Sequence, residues 1–514
     1  MATEKNDTLF LLVKSLSKSE KRQFKVYAGR LGGNAKANFM VLFNLLDKSV
    51  AYNEVKILNK TTIKKQQISN AKAHLYKLIL KSLRLNPVHQ NIRTNIREQF
   101  DFATILYGKG LYNQSLKILE KAKEIAILNS ENNLAFEIVE FEKVIESQYI
   151  TRSLSNRAEQ LSKQAKELNI KNARSSKLSN LALQLYSLLL KQGYVKNNED
   201  VLFVTNYFKK RLPSYKISEL SFKEKLFLYK AYLWYHLILQ DFVNSYKYSQ
   251  KWVDLFDDIP NRKLQNPVFY LKGINYLLES LYLIKHKTKF IKVFKKLEYE
   301  IDNDLIAMNE NTKSLVFLYF NQNKLNQYFL EGEFTKGLPF VSFLISEIPK
   351  YHAIIDAHHI MVFYYKIASM YFGAGDYKSC IYYLNKIIGN KELKMREDLL
   401  CFSRILNLVA HYDAGLDFNI EALIVSTYKF LLKMNDLQQV QRKMISFLKK
   451  LSKIYPQDLK KAFFELNEEF KTIENHPYEK RAFLYLDIIS WLESKIENKT
   501  VEQIIKQKAK LLNK

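Results

Sequence analysis

Only thirteen glycines and eight prolines punctuate 514 residues. A strand-rich chain of that length needs many tight turns, and tight turns consume both residues. So few breakers leave long helices joined by short connections. Hydrophobic residues make up 47% of the chain, enough to bury a large core and to argue against disorder. One compact domain rarely reaches this length, so several domains or an array of repeated units is expected.

The glycines that do occur sit between amphipathic patterns. In YFGAGDYKSC (Tyr371–Cys380), Tyr364, Ile367, Ala368 and Tyr371 precede the glycines, and Tyr377, Cys380, Leu384 and Ile387 follow. Each set lies on one face of a helix. Gly375 suits the left-handed position that ends a helix, and Asp376 suits the N-cap of the next. Ala368 and Cys380 are small where two helix axes would cross. A phosphate-binding loop is excluded, because its two glycine positions hold Phe372 and Tyr377. The third glycine of a dinucleotide loop would be Lys378.

These residues resemble a tetratricopeptide repeat, with a small residue in each helix and Gly-Asp-Tyr at the turn. Phe102, Ala103, Leu106, Gly110, Tyr112, Ser115, Leu119 and Ala122 form a second such unit, with Gln99 in place of the aromatic opening residue. The closing proline of the first unit is replaced by Glu392. Further turns are expected near 153, 193, 240, 288, 332, 415 and 457, in steps of 40 to 48 residues. The standard step is about 34. The resemblance implies an all-α, right-handed superhelical solenoid of antiparallel helix hairpins over residues 95–475. A helical bundle at residues 1–90 would precede it, with patterns at Thr8–Ser15, Lys18–Arg30, Asn38–Lys48 and Lys64–Leu85. Pro213, Pro260, Pro267, Pro349 and Pro477 should fall between hairpins, Pro456 in a turn and Pro339 early in a second helix. Residues 478–514 would cap the last repeat as Tyr478–Ile496 and Val501–Leu512.

Chemistry is sparse. His352, Asp356 and His359 would share one helix face, but further ligands for a metal are lacking. There is no Gly-x-Ser-x-Gly elbow and no Cys-x-x-Cys pair. We therefore expect no catalytic residue, no metal and no cofactor. Cys380 and Cys401 read as buried apolar residues in a reducing compartment, the cytoplasm. The N-terminal apolar run is too short for a signal peptide or an anchor, and no run spans a membrane.

A groove-forming repeat array implies a protein or peptide partner. Tyr365, Ser369 and Phe372 are the residues near the Gly375 turn left over from hairpin packing, and so the candidates for partner contact. The net charge of +28 suggests an anionic partner. Yet only fourteen of the eighty basic residues are arginine, and a lysine surplus spread evenly is what AT-rich codon usage writes. Lys77, Lys81 and Arg84, extended by Lys64, Lys65 and Lys72, would form a basic stripe for nucleic acid within residues 64–85. The arrangement loosely resembles bacterial regulators with a helix-turn-helix reader and a repeat sensor. Against groove binding, Ile68, Ala71, Leu75, Leu78, Ile79, Leu80 and Leu83 would bury much of that helix. A second lysine cluster, Lys285 to Lys296, reads as a solvated helix face.

Overall fold

The structure, a computed structural model, describes residues 7–30, 37–86, 91–148, 156–257, 262–351, 354–390, 397–416, 420–433, 439–451, 454–455, 457–474, 476–479, 483 and 487–511. Among them 83% are helical and no strand occurs. The first helices are α1 (Thr8–Ser15), α2 (Lys18–Arg30), α3 (Asn38–Lys48), α4 (Glu54–Lys60) and α5 (Ile68–Arg84). There follow α6 (Ile92–Gly108), α7 (Tyr112–Leu128), α8 (Asn132–Gln148), α9 (Arg157–Gln192) and α10 (Asn198–Arg211). Next come α11 (Phe222–Ile238), α12 (Phe242–Asp254), α13 (Arg262–Gln265), α14 (Pro267–Leu283) and α15 (Lys287–Asp302). Then α16 (Glu310–Glu331), α17 (Phe334–Tyr351), α18 (Ala357–Gly373), α19 (Tyr377–Ile388) and α20 (Glu397–Asp413). The last are α21 (Ile420–Lys433), α22 (Gln439–Leu451), α23 (Leu459–Glu474), α24 (Ile488–Glu497) and α25 (Val501–Leu511). Consecutive helices pack mainly on their chain neighbours.

Two short-range devices set the helix ends. The first is a left-handed residue that closes a helix with paired reversed hydrogen bonds. After α18, the Gly375 N–H donates to Phe372 O and the Asp376 N–H to Tyr371 O, with Gly375 at φ +83°. The same pair of bonds ends α6 at Gly110, α16 at Gly332 and α20 at Gly415. It also ends α7 at Ser130, α11 at Gln240, α14 at Lys285 and α15 at Asp304, where a side chain tolerates the strained region. The second device is an Asn or Asp N-cap. Asp7, Asn53, Asn91, Asn197, Asp241, Asn309, Asp356, Asp376 and Asp487 each accept from the N–H three residues on. At 240–241 and 375–376 the two devices are adjacent residues, so the turn is as short as it can be.

The chain divides into two compact units, Met1–Ala165 and Lys166–Lys514. In the first, α1, α2, α3 and α5 close around Leu9, Phe24, Phe43, Leu46, Leu75 and Ile79. In the second, one apolar core runs from Leu178 to Val501. Small residues sit at its crossings: Ser245, Ala368 and Cys380 are fully buried, and a Cβ on Gly337 would fall 2.1 Å from Met370 Cε.

Several expectations need correction. The turn expected at Thr288 lies at Lys285, and Thr288 is inside α15. Pro349, expected between hairpins, is inside α17 with Pro339. Phe102, expected on a packing face, is 45% exposed. Between the expected turns near 153 and 193 stands a single 36-residue helix, α9, since no Gly or Pro interrupts it. Pro267 opens α14, and Pro213 and Pro477 lie outside helices. Residues 153, Pro260, His352, Glu392 and Pro456 lie outside the described residues. Among those that are described, no helix is long and apolar enough to cross a membrane.

Candidate ligand cavity

Alternate helices of the second unit share one cavity. Trp234 of α11, Asn275 of α14, Tyr319 of α16, Lys366 of α18 and Leu399 of α20 stand on its wall, and α9, α23, α24 and α25 complete it. Its volume is about 1170 Å³, above the roughly 300–1,000 Å³ of small-molecule sites. The C-terminal helices are tied across it. Thr335 donates through its N–H (3.0 Å) and its hydroxyl to Glu502. Trp491 Nε1 donates to Asp413 (3.0 Å), which also pairs with Lys495 (2.7 Å). Of the C-terminal helices, α24 packs on α23, and α25 packs on α24 and on α16.

A polar ladder crosses the wall. Lys366 Nζ donates to Asn326 Oδ1, Asn326 Nδ2 to Asn323 Oδ1 (3.2 Å), and Asn323 Nδ2 to Asn275 Oδ1 (2.8 Å). Tyr186 packs on Trp234 at 4.8 Å and Trp234 on Tyr276 at 5.1 Å. The Trp234 indole N–H has no acceptor among the described residues although the side chain is 5% exposed. An unmet buried donor costs about 1–3 kcal/mol.

Lys366 is the electrostatic centre. It is half-buried by area and lines the cavity. Desolvation lowers its amine to about 8, opposed by the carboxylate of Glu279. The Tyr282 and Phe329 rings lie 5.6 and 5.8 Å away. Below pH 8 the amine is charged in the folded and the unfolded chain alike, and the burial penalty is fully present. Between about 8 and the ordinary 10.5 the folded protein has released a proton that the unfolded chain keeps, so this contribution to stability rises with pH. Lys366→Met should therefore stabilise the ligand-free protein by about 1–2 kcal/mol at neutral pH. The gain should shrink as pH rises toward 10, which denaturant melts of both proteins at several pH values will test. An equal gain at every pH would show that the penalty is not electrostatic.

Tyr365, Ser369 and Phe372 all line this cavity. Tyr365 and Phe372 are also part of the core, at 5% and 3% exposed, so they were not left over from packing. Ser369 Oγ donates to Tyr365 O at 2.9 Å. Lys77, Lys81 and Arg84 are on the exposed side of α5, with Arg84 paired to Asp101 at 2.7 Å. Asp356 caps α18 and holds His359 Nδ1 at 2.6 Å. No group of three or more His, Cys, Asp or Glu side chains among the described residues could hold a metal ion. Cys380 and Cys401 are buried thiols, and burial raises that of Cys380. Of the second lysine cluster, Lys296 pairs with Asp257 and Lys289 donates to Tyr246.

Sequence reading missed Lys366, Trp234 and the asparagines. A signal existed. NQNKLNQY (Asn321–Tyr328) puts seven polar or aromatic side chains inside a helix of 22 residues that has little solvent to face. The chain matches no protein-family model and no curated protein.

Proposed function

We propose that residues 166–514 bind a short extended peptide, or an extended segment of a protein partner, in the cavity walled by α11, α14, α16 and α18. The chain then acts as a non-catalytic interaction scaffold, with its helix pairs stacked as a tetratricopeptide-like solenoid and the cavity as its concave side. The observation that carries this reading is the ladder Lys366–Asn326–Asn323–Asn275 set among aromatic rings. A carboxamide offers a donor and an acceptor in one plane, as a peptide bond does. Aromatic faces with polar neighbours suit side chains of mixed character, and Lys366 suits a carboxylate.

The test uses an equimolar pool of random octapeptides passed over the immobilised full chain, with retained peptides read by mass spectrometry. Ser369→Phe fills cavity volume from a half-buried position and should abolish retention. Asn326→Leu cuts the ladder and should reduce retention at least tenfold. Equal retention by wild type and both variants, each with an unchanged circular dichroism spectrum, would retire the reading.

A further inference from the structure

The charge surplus is not evenly spread. Residues 1–86 hold seventeen Lys and Arg against five Asp and Glu, a net +12, and the other 428 residues carry the remaining +16. Residues 55–97 contain ten Lys and Arg and no Asp or Glu at all. Codon usage acts on the whole chain alike and cannot write such a gradient.

The structure gathers this charge on one element. Ile63 (4% exposed) anchors the turn between α4 and α5 in the core, and Thr61 Oγ1 donates to Ile57 O at 2.9 Å. Ile68, Leu75, Leu78 and Ile79 then bury one side of α5. Its other side presents Asn70, Ala73, Lys77 and Lys81 in a row at helical spacing, all exposed, with Leu80 (45% exposed) beside it; Gln66, in the 3-10 turn Lys65–Gln67 just before the helix, is exposed too. The expectation that apolar residues cover too much of this helix is therefore corrected: they cover one face. Two of the basic residues are already engaged, Lys72 by Asp7 and Tyr52, and Arg84 by Asp101. No ion pair among the described residues involves Lys64, Lys65, Lys77 or Lys81.

We propose that this face binds duplex DNA, with α5 in the major groove. Gln66 and Asn70 face base edges, and Lys64, Lys65, Lys77 and Lys81 face flanking phosphates. The major groove is about 12 Å wide and admits a helix; Asn and Gln pair with adenine there, and an alanine methyl packs on thymine. A short helix, a seven-residue connection (Thr61–Gln67) that ends in a 3-10 turn, and a longer helix with one face outward follow the order that reads a groove. A membrane surface would instead want an outward apolar face, and this one is buried. The deep, narrow major groove of duplex RNA would exclude the helix.

The experiment is fluorescence anisotropy of the full chain with a labelled random-sequence duplex of about 24 base pairs. Four phosphate contacts predict about a hundredfold weakening between about 50 and 200 mM salt. Lys77→Ala/Lys81→Ala removes two of the cations, so binding should be at least tenfold weaker at low salt and the slope of log affinity against log salt lower by about two. Both residues are exposed, so the melting midpoint should not move. Selection from a randomised duplex pool should give a preferred sequence, and Asn70→Ala should relax one position of it. The proposal is overturned by no binding at about 50 mM salt, by an unchanged slope in the double variant, or by tighter binding to anionic vesicles or single-stranded RNA than to the duplex.

Discussion

Replacing Trp491 with alanine is expected to cost about 3–5 kcal/mol, the range for truncating a fully buried aromatic. Trp491 is 0% exposed and packs edge-on against Phe463 at 5.6 Å. Its indole N–H is also a donor to Asp413, a carboxylate with no solvent exposure that Lys495 and Tyr377 also face. The loss therefore combines an apolar void with a weakened buried charge. Trp491→Phe separates the two terms, since it keeps most of the volume and should cost about 1.5–3 kcal/mol through the lost bond to a charged acceptor. Denaturant unfolding gives the total. Hydrogen exchange over Ile488–Leu511 shows whether α24 and α25 open first, which is expected because they wall the cavity and close late in the chain. A cost below about 1 kcal/mol for the alanine variant would show that α24 is not held by this residue.

Gly332→Ala should be the most damaging of the glycine substitutions in the turns. Gly332 has φ +65°, where a Cβ costs about 1–2 kcal/mol. A Cβ there would also lie 2.6 Å from Lys506 N and 2.8 Å from its Cα, both backbone atoms of α25 that cannot rotate away. Helix α25 must shift, and the Thr335–Glu502 bonds go with it. The expected total is about 3 kcal/mol. Gly375→Ala is the matched control: φ is +83° but nothing lies within 4 Å of the added Cβ, so only the backbone term of about 1 kcal/mol remains. Equal losses in the two variants, measured by denaturant midpoint, would mean that α25 does not press on the α16 turn.

The local chemistry of this chain was legible from its residues. Helical class followed from the scarcity of breakers, and turns at Gly110, Gly332, Gly375 and Gly415 followed from glycine beside an amphipathic break. Turns at Ser130 and Asp304 were not legible, because those residues adopt the same left-handed conformation without advertising it. The bounds of α1, α2 and α3 were readable from apolar spacing, whereas the short α4 had too few turns to show a period. For α5 the apolar residues were identified correctly, but how much of the helix they covered depended on which neighbours packed against it.

What the sequence alone determined is the set of short-range outcomes, since caps, turns and helix faces depend on residues a few positions apart. What tertiary structure alone decided is the cavity. Its ladder joins Asn275 to Lys366, and its walls run from Tyr186 to Leu511. No local pattern encodes which of several polar residues on a helix will meet others about 40 to 90 positions away. Packing of the helices brings them together, and the desolvation that lowers the Lys366 amine exists only once they have met.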